Sequence, residues 1–500
     1  MAKTEAPSSY TEIDKPHDKC AVVGAISFKG RDVAKDIVVS LAALQHRGQD
    51  GTGIAVVRKA GEIGLYKKQG LVGNVFARHS VLTENNLFGF IGIGQNRYAT
   101  AGSRGLESCL QPHVVEWEGR SLAVAHNGNI PNEILARIRK ELPDNIPFKS
   151  NTDTEVLAWR IMFSKGDLWP EKIKNALSGI EGSYALTIAT DNGELIGARD
   201  KYSIRPLVVG YTEDGMILAS ETRGLEHHME KVNHWEEIKG GEMIIAANGN
   251  IDKIQFARRD RTARCIVEPV YFAFPTSREN GFDNSEIRRR MGMQLAEEFP
   301  IADRNTIVCG IPESGNHVAE GYAEKSGILY RSGLIHKDRY GAGIRTFIAD
   351  TDEQRDSLLE YKFSISEGVR GKNLVLIDDS VIRSATSKRL VVALRKAGVL
   401  KVGLLSGSPP FVDICDLGID IPDKEKLAAV YKKGEHYKER KMTDIAKRIG
   451  LDYIRYLSLD GLVKAIGRKK EDLCTHCLTH EHPIFDAKTV VDKTNCFVTI

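Results

Sequence analysis

Three stretches of this 500-residue chain carry residue types at spacings that could do chemistry. In the first, Asn373–Arg389 (NLVLIDDSVIRSATSKR), an apolar run ends in the paired carboxylates Asp378 and Asp379. A hydroxyl-rich turn and the amphipathic run Lys388–Ala397 follow. Paired carboxylates at a strand's carboxyl end can hold two ribose hydroxyls. Thr386, Ser387 and the free N–H groups that open a helix can surround a phosphate. A solvated acidic turn between core elements is the alternative, since such turns are common. The second stretch is His336–Phe347 (HKDRYGAGIRTF), where Lys337, Arg339 and Arg345 stand among glycines without periodicity. It suits a mobile lid that meets pyrophosphate oxygens, or a solvated basic loop. The third is Cys474-Thr-His-Cys477 with His480 and His482 behind it. That spacing suits half of a zinc site.

The elements around these groups follow from hydrophobic pattern. Leu374–Ile377 reads as a buried parallel strand. Ile307–Gly315 is a strand running into a turn and Asn316–Lys325 a helix, the first strand-loop-helix of an open α/β sheet, with Glu313 and Ser314 facing its switch-point crevice. Val402–Gly407 is a further strand. Near the other end, an alternating strand starts directly at Cys20, where a cysteine is ordinarily a small buried hydrophobe. Then come Leu44–Gly53 (LQHRGQDGTG), Arg97-Tyr98-Ala99-Thr100, Ala125-His126-Asn127-Gly128-Asn129, and Thr152-Asp153-Thr154-Glu155 opening a helix. Each alone is a plain turn or cap. A helix at Glu171–Ile180 leads into strands at Tyr184–Thr190, Leu195–Arg199, Leu207–Tyr211 and Met216–Ser220, which predicts two sheets sandwiched between helical layers. Ile251–Arg264 is polar and basic and reads as a connection between domains.

Composition bounds the rest. The chain is too long for one core, and 42% hydrophobic with 27% charged residues describes a globular protein of two or three domains. A net charge of +3 gives no field that would favour nucleic acid or membrane. No apolar run is long enough to cross a bilayer, and residues 1–19 lack the apolar core of a secretory signal, so a cytoplasmic protein is expected. Eight cysteines are too few for a disulfide framework.

In their order and spacing, the N-terminal strings resemble the glutamine amide transfer domain of the N-terminal-nucleophile hydrolases. The string from the apolar strand through Asp378-Asp379 to Thr386-Ser387 resembles the 5-phosphoribosyl-1-pyrophosphate (PRPP) signature of type I phosphoribosyltransferases. Together they resemble one family, the amidophosphoribosyltransferases, from Cys20 to about Pro483. The resemblance implies an α+β (αββα sandwich) glutaminase domain over 20–255, an α/β phosphoribosyltransferase domain over 256–465, a C-terminal tail over 466–500, and a leader, 1–19, that is removed. It implies that Cys20 is the nucleophile with its own α-amino group as base, and that Asn127 and Gly128 form the oxyanion hole. Arg97 would take the glutamine α-carboxylate and Asp153 its α-ammonium, with Arg47 and Gly48 in the pocket wall. PRPP would be held by Asp378, Asp379, Ser380, Arg383, Thr386, Ser387, Lys337, Arg339 and Arg345, and Mg²⁺ by Ser314, Asp378 and Asp379.

Within that family, the iron–sulfur subset uses four cysteines. This resemblance assigns Cys265, Cys415, Cys474 and Cys477 to a [4Fe–4S] cluster, and leaves Cys109 and Cys309 as buried or incidental. The implied reaction makes 5-phosphoribosylamine, glutamate and pyrophosphate, the first step of purine synthesis, with purine nucleotide inhibitors and a homotetramer or homodimer. The chain departs from the family at Lys19 and Ala21 around the nucleophile, at Ser384-Ala385 in the phosphate loop, in a longer lid, and at Ser364-Ile365-Ser366-Glu367, where a cation is expected and an anion stands. These departures motivate an alternative, a glutaminase that feeds a different sugar-phosphate acceptor or a catalytically impaired regulatory relative.

Overall fold

The computed structural model describes residues 17–18, 20–58, 61–78, 80–98, 107–258, 261–279, 281–303, 305–337, 363–421, 424–433 and 436–485. The N-terminal half is two stacked antiparallel sheets. In the seven-stranded sheet, Cys20–Ser27 lies between Gly215–Ala219 and Ile91–Arg97. In the six-stranded sheet, Arg120–Asn129 lies between His113–Trp117 and Ser183–Thr190. Their facing surfaces are rich in alanine, with Ala55, Ala123, Ala125, Ala185 and Ala189 all buried, and small side chains let the two sheets pack closely. Helix Ala34–Ala43 covers the outer face of the first sheet, and Asp153–Phe163 with Trp169–Leu177 covers that of the second. This is the expected sandwich. The strand Cys20–Ser27 is buried along its whole length because it is covered on both sides.

The C-terminal half is built on four parallel strands lying side by side in chain order, Thr306–Gly310, Asn373–Asp378, Lys401–Ser406 and Tyr453–Tyr456. Helices cover both faces, which explains the continuous apolar run of the central strand. Val375 and Ile377 pack against Asn284–Glu298 and Asn316–Ser326, while Leu374 and Leu376 pack against Ala385–Lys396 and Met442–Ile449. The first helix pair crosses at two glycines, where a Cβ on Gly292 would stand 1.9 Å from the Val318 carbonyl oxygen. The helix after the acidic pair begins at Ala385, three residues before the amphipathic run, so Thr386 and Ser387 lie in its first turn.

A strand pairing and a seam of buried ions lie at the junction of the halves. Arg264–Cys265 pairs in parallel with Leu473–Cys474, which brings the chain's last described segment back to the start of the second half. Beside that pairing runs a buried seam of ions. The Arg47 guanidinium, wholly buried, donates to both Glu268 oxygens at 2.8 and 2.9 Å, and Arg205 lies 3.1 Å from the same carboxylate. Arg47 also lies 3.4 Å from Glu221, which accepts from His46. Burial alone would raise the Glu221 carboxyl, but His46 and Arg47 hold it down to about 2. Just before Cys20, His17–Asp18 forms an antiparallel bridge with Ile419–Asp420 of the C-terminal half.

A buried carboxylate shared by two buried arginines stabilises the seam only while all three are present, because each lone charge would be left desolvated. Glu268→Ala is therefore expected to lower unfolding free energy by about 3–5 kcal/mol in denaturant titration, and the double variant Glu268→Ala with Arg47→Met to recover part of that loss. A loss below about 1 kcal/mol, the range of exposed pairs, would show that the seam is not stabilising.

Candidate active sites and a cysteine centre

In the N-terminal half the strand register does the positioning. Cys20, the first residue of its strand, lies directly opposite Arg97. Both are buried, and the Arg97 guanidinium donates to the Cys109 carbonyl oxygen. That carbonyl gives Cys109 a part that the sequence does not suggest. Cys309 fits its incidental reading, as burial pushes its thiol up to about 12. Asn127 and Gly128 close the strand Arg120–Asn129. Gly128 has φ +149°, and a Cβ there would fall 2.1 Å from the Ser183 carbonyl oxygen, so a side chain is excluded. Asn127 is fully buried, yet neither side-chain atom has a hydrogen-bond partner among the described residues. Buried amides are normally paired, and an orphaned one points to a group that arrives with substrate.

Asp153 opens the helix Asp153–Phe163, whose cap is Thr152 accepting from the Glu155 N–H at 3.3 Å. Its carboxylate accepts the Ile130 N–H at 3.2 Å, and the Nδ1 of His126 lies 3.5 Å away. So Asp153 is brought to the strand end that carries Asn127 and Gly128, and Cys20 lies opposite Arg97. Arg47 behaves differently from expectation. Its side chain runs into the seam with Glu268 and Glu221, and its neighbour Gly48 is the residue against the glutamine-site strand, where a Cβ would lie 2.7 Å from Asn96 and 2.8 Å from Arg97 backbone atoms.

Behind this site lies a polar layer that the sequence reading missed. Gln111 accepts the His126 N–H at 2.8 Å and donates to the Thr154 hydroxyl at 2.8 Å, while His113 and Thr152 share a bond of 2.9 Å. Lys67 donates to the carbonyls of Leu110 and Pro112 at 2.5 and 3.4 Å, and burial brings its ammonium down to about 8. Burial likewise lowers His113 to about 3, so it is a neutral partner. No local pattern announces these residues, because their partners are remote in sequence.

In the C-terminal half Asp378 is the last residue of its strand, and Asp378, Asp379 and Ser380 are all buried. Asp379 accepts the Ser380 hydroxyl at 2.9 Å, and Asp378 accepts the Asp379 N–H at 3.0 Å. The turn carrying Ser314 is set against the same strand end, where a Cβ on Gly315 would stand 2.2 Å from the Ile377 carbonyl oxygen. Across the pair, the helix Ala385–Lys396 follows Ser384, whose side chain makes no capping hydrogen bond. Ser387 is buried in its first turn, and Arg383 stands just before it. Ile335–Lys337 pairs antiparallel with Phe363–Ile365, and most of the stretch His336–Phe347, with Arg339 and Arg345, lies outside the described residues. The unexpected anion Glu367 is exposed and pairs with Arg370 at 3.2 Å.

The four cysteines meet in one place. Cys265 and Cys474 are opposite in register, the Cys477 carbonyl accepts the N–H groups of Val412 and Asp413 at 2.9 and 3.2 Å, and the Cys415 sulfur accepts the Leu417 N–H at 3.3 Å. Burial pushes Cys265 and Cys477 well above the usual thiol range and Cys474 up to about 12, and each is raised further by its cysteine neighbours. Among the described residues no three Cys, His, Asp or Glu groups converge tightly enough for a single metal ion. His480 and His482 instead bond to Asp413 and Asp416 at 2.6 and 3.1 Å.

Comparison with known proteins follows this geometry. A glutamine amidotransferase domain family matches residues 98–227. The amidophosphoribosyltransferase of Methanocaldococcus jannaschii is 39% identical over 93% of this chain and 97% of its own, and that of Bacillus subtilis 36% identical over 94% and 95%. The solved glutamine PRPP amidotransferase from B. subtilis, complexed with ADP and GMP, superposes with a TM-score of 0.81 at 32% identity, covering 94% of this chain and 98% of that one.

If the Asn127 amide serves a ligand and not the fold, Asn127→Ala should leave the melting temperature unchanged or slightly raised. Asp200→Ala is the contrast, since Asp200 is equally buried but accepts the N–H groups of Tyr202 and Ile204 at 3.0 and 3.1 Å. It should destabilise by about 1–3 kcal/mol. Calorimetry that shows equal losses for both would make Asn127 structural.

Proposed function

This chain belongs to the amidophosphoribosyltransferase family, and from that premise we propose how its residues divide the work. The enzyme converts PRPP and glutamine into 5-phosphoribosylamine, glutamate and pyrophosphate, the first step of purine synthesis. In the N-terminal half the Cys20 sulfur attacks the side-chain amide carbon of glutamine. The C–N bond breaks, ammonia leaves, and water then cleaves the thioester to give glutamate. The base is the α-amino group of Cys20 after residues 1–19 are removed, a group whose ordinary pKa of about 8 suits proton shuttling at neutral pH. The Asn127 amide and the Gly128 N–H donate to the oxyanion, and Arg97 and Asp153 hold the amino-acid end. The orphaned, fully buried Asn127 side chain is the observation that carries this reading.

In the C-terminal half ammonia attacks C1 of PRPP as pyrophosphate departs. Asp378 and Asp379 hold the ribose hydroxyls, and the opening turn of Ala385–Lys396 with Ser380, Arg383, Thr386 and Ser387 holds the 5-phosphate. Lys337, Arg339 and Arg345 belong to a lid that meets pyrophosphate and excludes water. Oxygen donors at Ser314, Asp378 and Asp379 suit Mg²⁺, which when bound neutralises the leaving charge. The exposed position of Glu367 beside Arg370 supports PRPP as acceptor. Cys265, Cys415, Cys474 and Cys477 suit a [4Fe–4S] cluster that ties the C-terminal segment to the fold. Inhibition by purine nucleotides and assembly into a homo-oligomer complete the proposal, the first supported by the relative solved with ADP and GMP. No helix among the described residues is long and apolar enough to cross a membrane.

Separate variants test the two halves. Cys20→Ala should abolish glutamate release and glutamine-dependent phosphoribosylamine formation while keeping formation from added ammonia. Asn127→Ala should lower the glutamine-dependent kcat by about 10²–10³. Asp379→Asn should lose phosphoribosylamine from either nitrogen source. Glutamate release by Cys20→Ala at the wild-type rate would refute the nucleophile assignment.

A further inference from the structure

The stretch Cys415–Asp420 belongs to the C-terminal half by sequence, yet it lies against the oxyanion strand of the other half. Asn129 donates through its side chain to the Asp416 carbonyl at 2.8 Å. The Ser183 hydroxyl donates to the Leu417 carbonyl at 2.5 Å and accepts the Asn129 N–H at 3.2 Å. Ser183 and Asn129 are opposite each other in the strand pair, so this hydroxyl bridges the strand that carries Gly128 to the partner half. Gly418 adds a steric constraint. Its φ is +111°, and a Cβ there would come within 3.2 Å of both the Cα and the carbonyl carbon of Gly128. The stretch is itself anchored, since Leu417 and Ile419 are buried and Asp416 is bonded to His482.

We propose that Asp416–Gly418 is a positioning element for the oxyanion hole, so that the C-terminal half sets the orientation of the Gly128 N–H and amide cleavage runs at full rate only when the halves are docked. This rests on reading Asn127 and Gly128 as the oxyanion donors. An oxyanion donor works by being aimed in advance at charge that develops late, and a misplacement of about 1 Å can cost on the order of 10²-fold in rate. Gly128 cannot hold its own orientation through a side chain. Its unusual φ is kept by the Ser183 strand on one side and by Gly418 on the other. The Ser183 hydroxyl bonds one backbone group in each half, and its removal would take away both bonds.

The test uses the full chain with Ser183→Ala and Gly418→Ala, the first keeping the proposal testable if the second does not fold. For each, glutamate release gives kcat and KM for glutamine, and phosphoribosylamine formation from added ammonia reports the other site. The expected result is a fall in glutamine-dependent kcat of about tenfold or more with KM within about twofold, since the lost interaction acts in the transition state. The ammonia-dependent rate should stay at the wild-type value. An unchanged kcat in Ser183→Ala, a rise in KM alone, or a parallel loss of both activities would overturn the proposal. Asn127→Ala measured alongside separates the premise: a wild-type glutaminase rate there would refute the oxyanion assignment itself, whereas an impaired Asn127→Ala beside an active Ser183→Ala would refute the positioning element alone.

Discussion

The carboxylate of Glu268, buried between Arg47 and Arg205, is the interaction on which the two-part architecture depends. Desolvating three charges is costly, and it is tolerable only with close, multiply bonded geometry. That requirement fixes the halves relative to each other more tightly than an apolar surface of similar size would, because a small slip would leave a charge unpaired. The reaction needs such fixity. Ammonia released into water would be diluted and protonated, so the site that makes it and the site that uses it must keep a defined relation.

Glycines supply the other constraint. Gly48 and Gly128 are both in places where a single added carbon would strike backbone, one beside Arg97 and the other beside Ser183. Such positions let a turn or a strand end approach its neighbour closely enough to present N–H groups to a ligand. They also explain why the glutamine site is made from segments far apart in the chain. Each contributes one short, unobstructed piece of backbone, and the register of the two sheets brings the pieces together.

What could be read from sequence follows from how local each signal is. The strand ending at Asp378 shows itself because burial on both faces leaves an unbroken apolar run, and the sandwich shows itself through repeated short strands. The helix start at Ala385 was set three residues late because the pattern there is polar, and the helix is recognisable only by backbone geometry. The resemblance assigns Arg47 to the pocket wall and does not show its ion pair, since Glu268 is 221 residues away and nothing beside Arg47 hints at it. Glu367 shows its sign in the sequence but not its exposure or its pairing with Arg370, three residues on. Cys474 and Cys477 alone suggested zinc, and only with Cys265 and Cys415, which lie far upstream, does a four-sulfur centre come into view.

The short helix Glu268–Phe272 connects these themes. At its start Glu268 holds Arg47, whose neighbour Gly48 backs the Arg97 strand of the glutamine site. Along its length, Arg288 donates to the carbonyls of Pro269, Tyr271 and Ala273 at 3.1, 2.9 and 2.7 Å. Burial lowers the Arg288 guanidinium, and the nearby Asp379 carboxylate opposes that fall. One element is therefore bonded on one side to the glutamine half and lies on the other within the field of the acidic pair. Rigid, fully bonded segments transmit displacement because they have few soft degrees of freedom to absorb it. The same short helix is therefore bonded to the buried seam at its start and to Arg288 along its length.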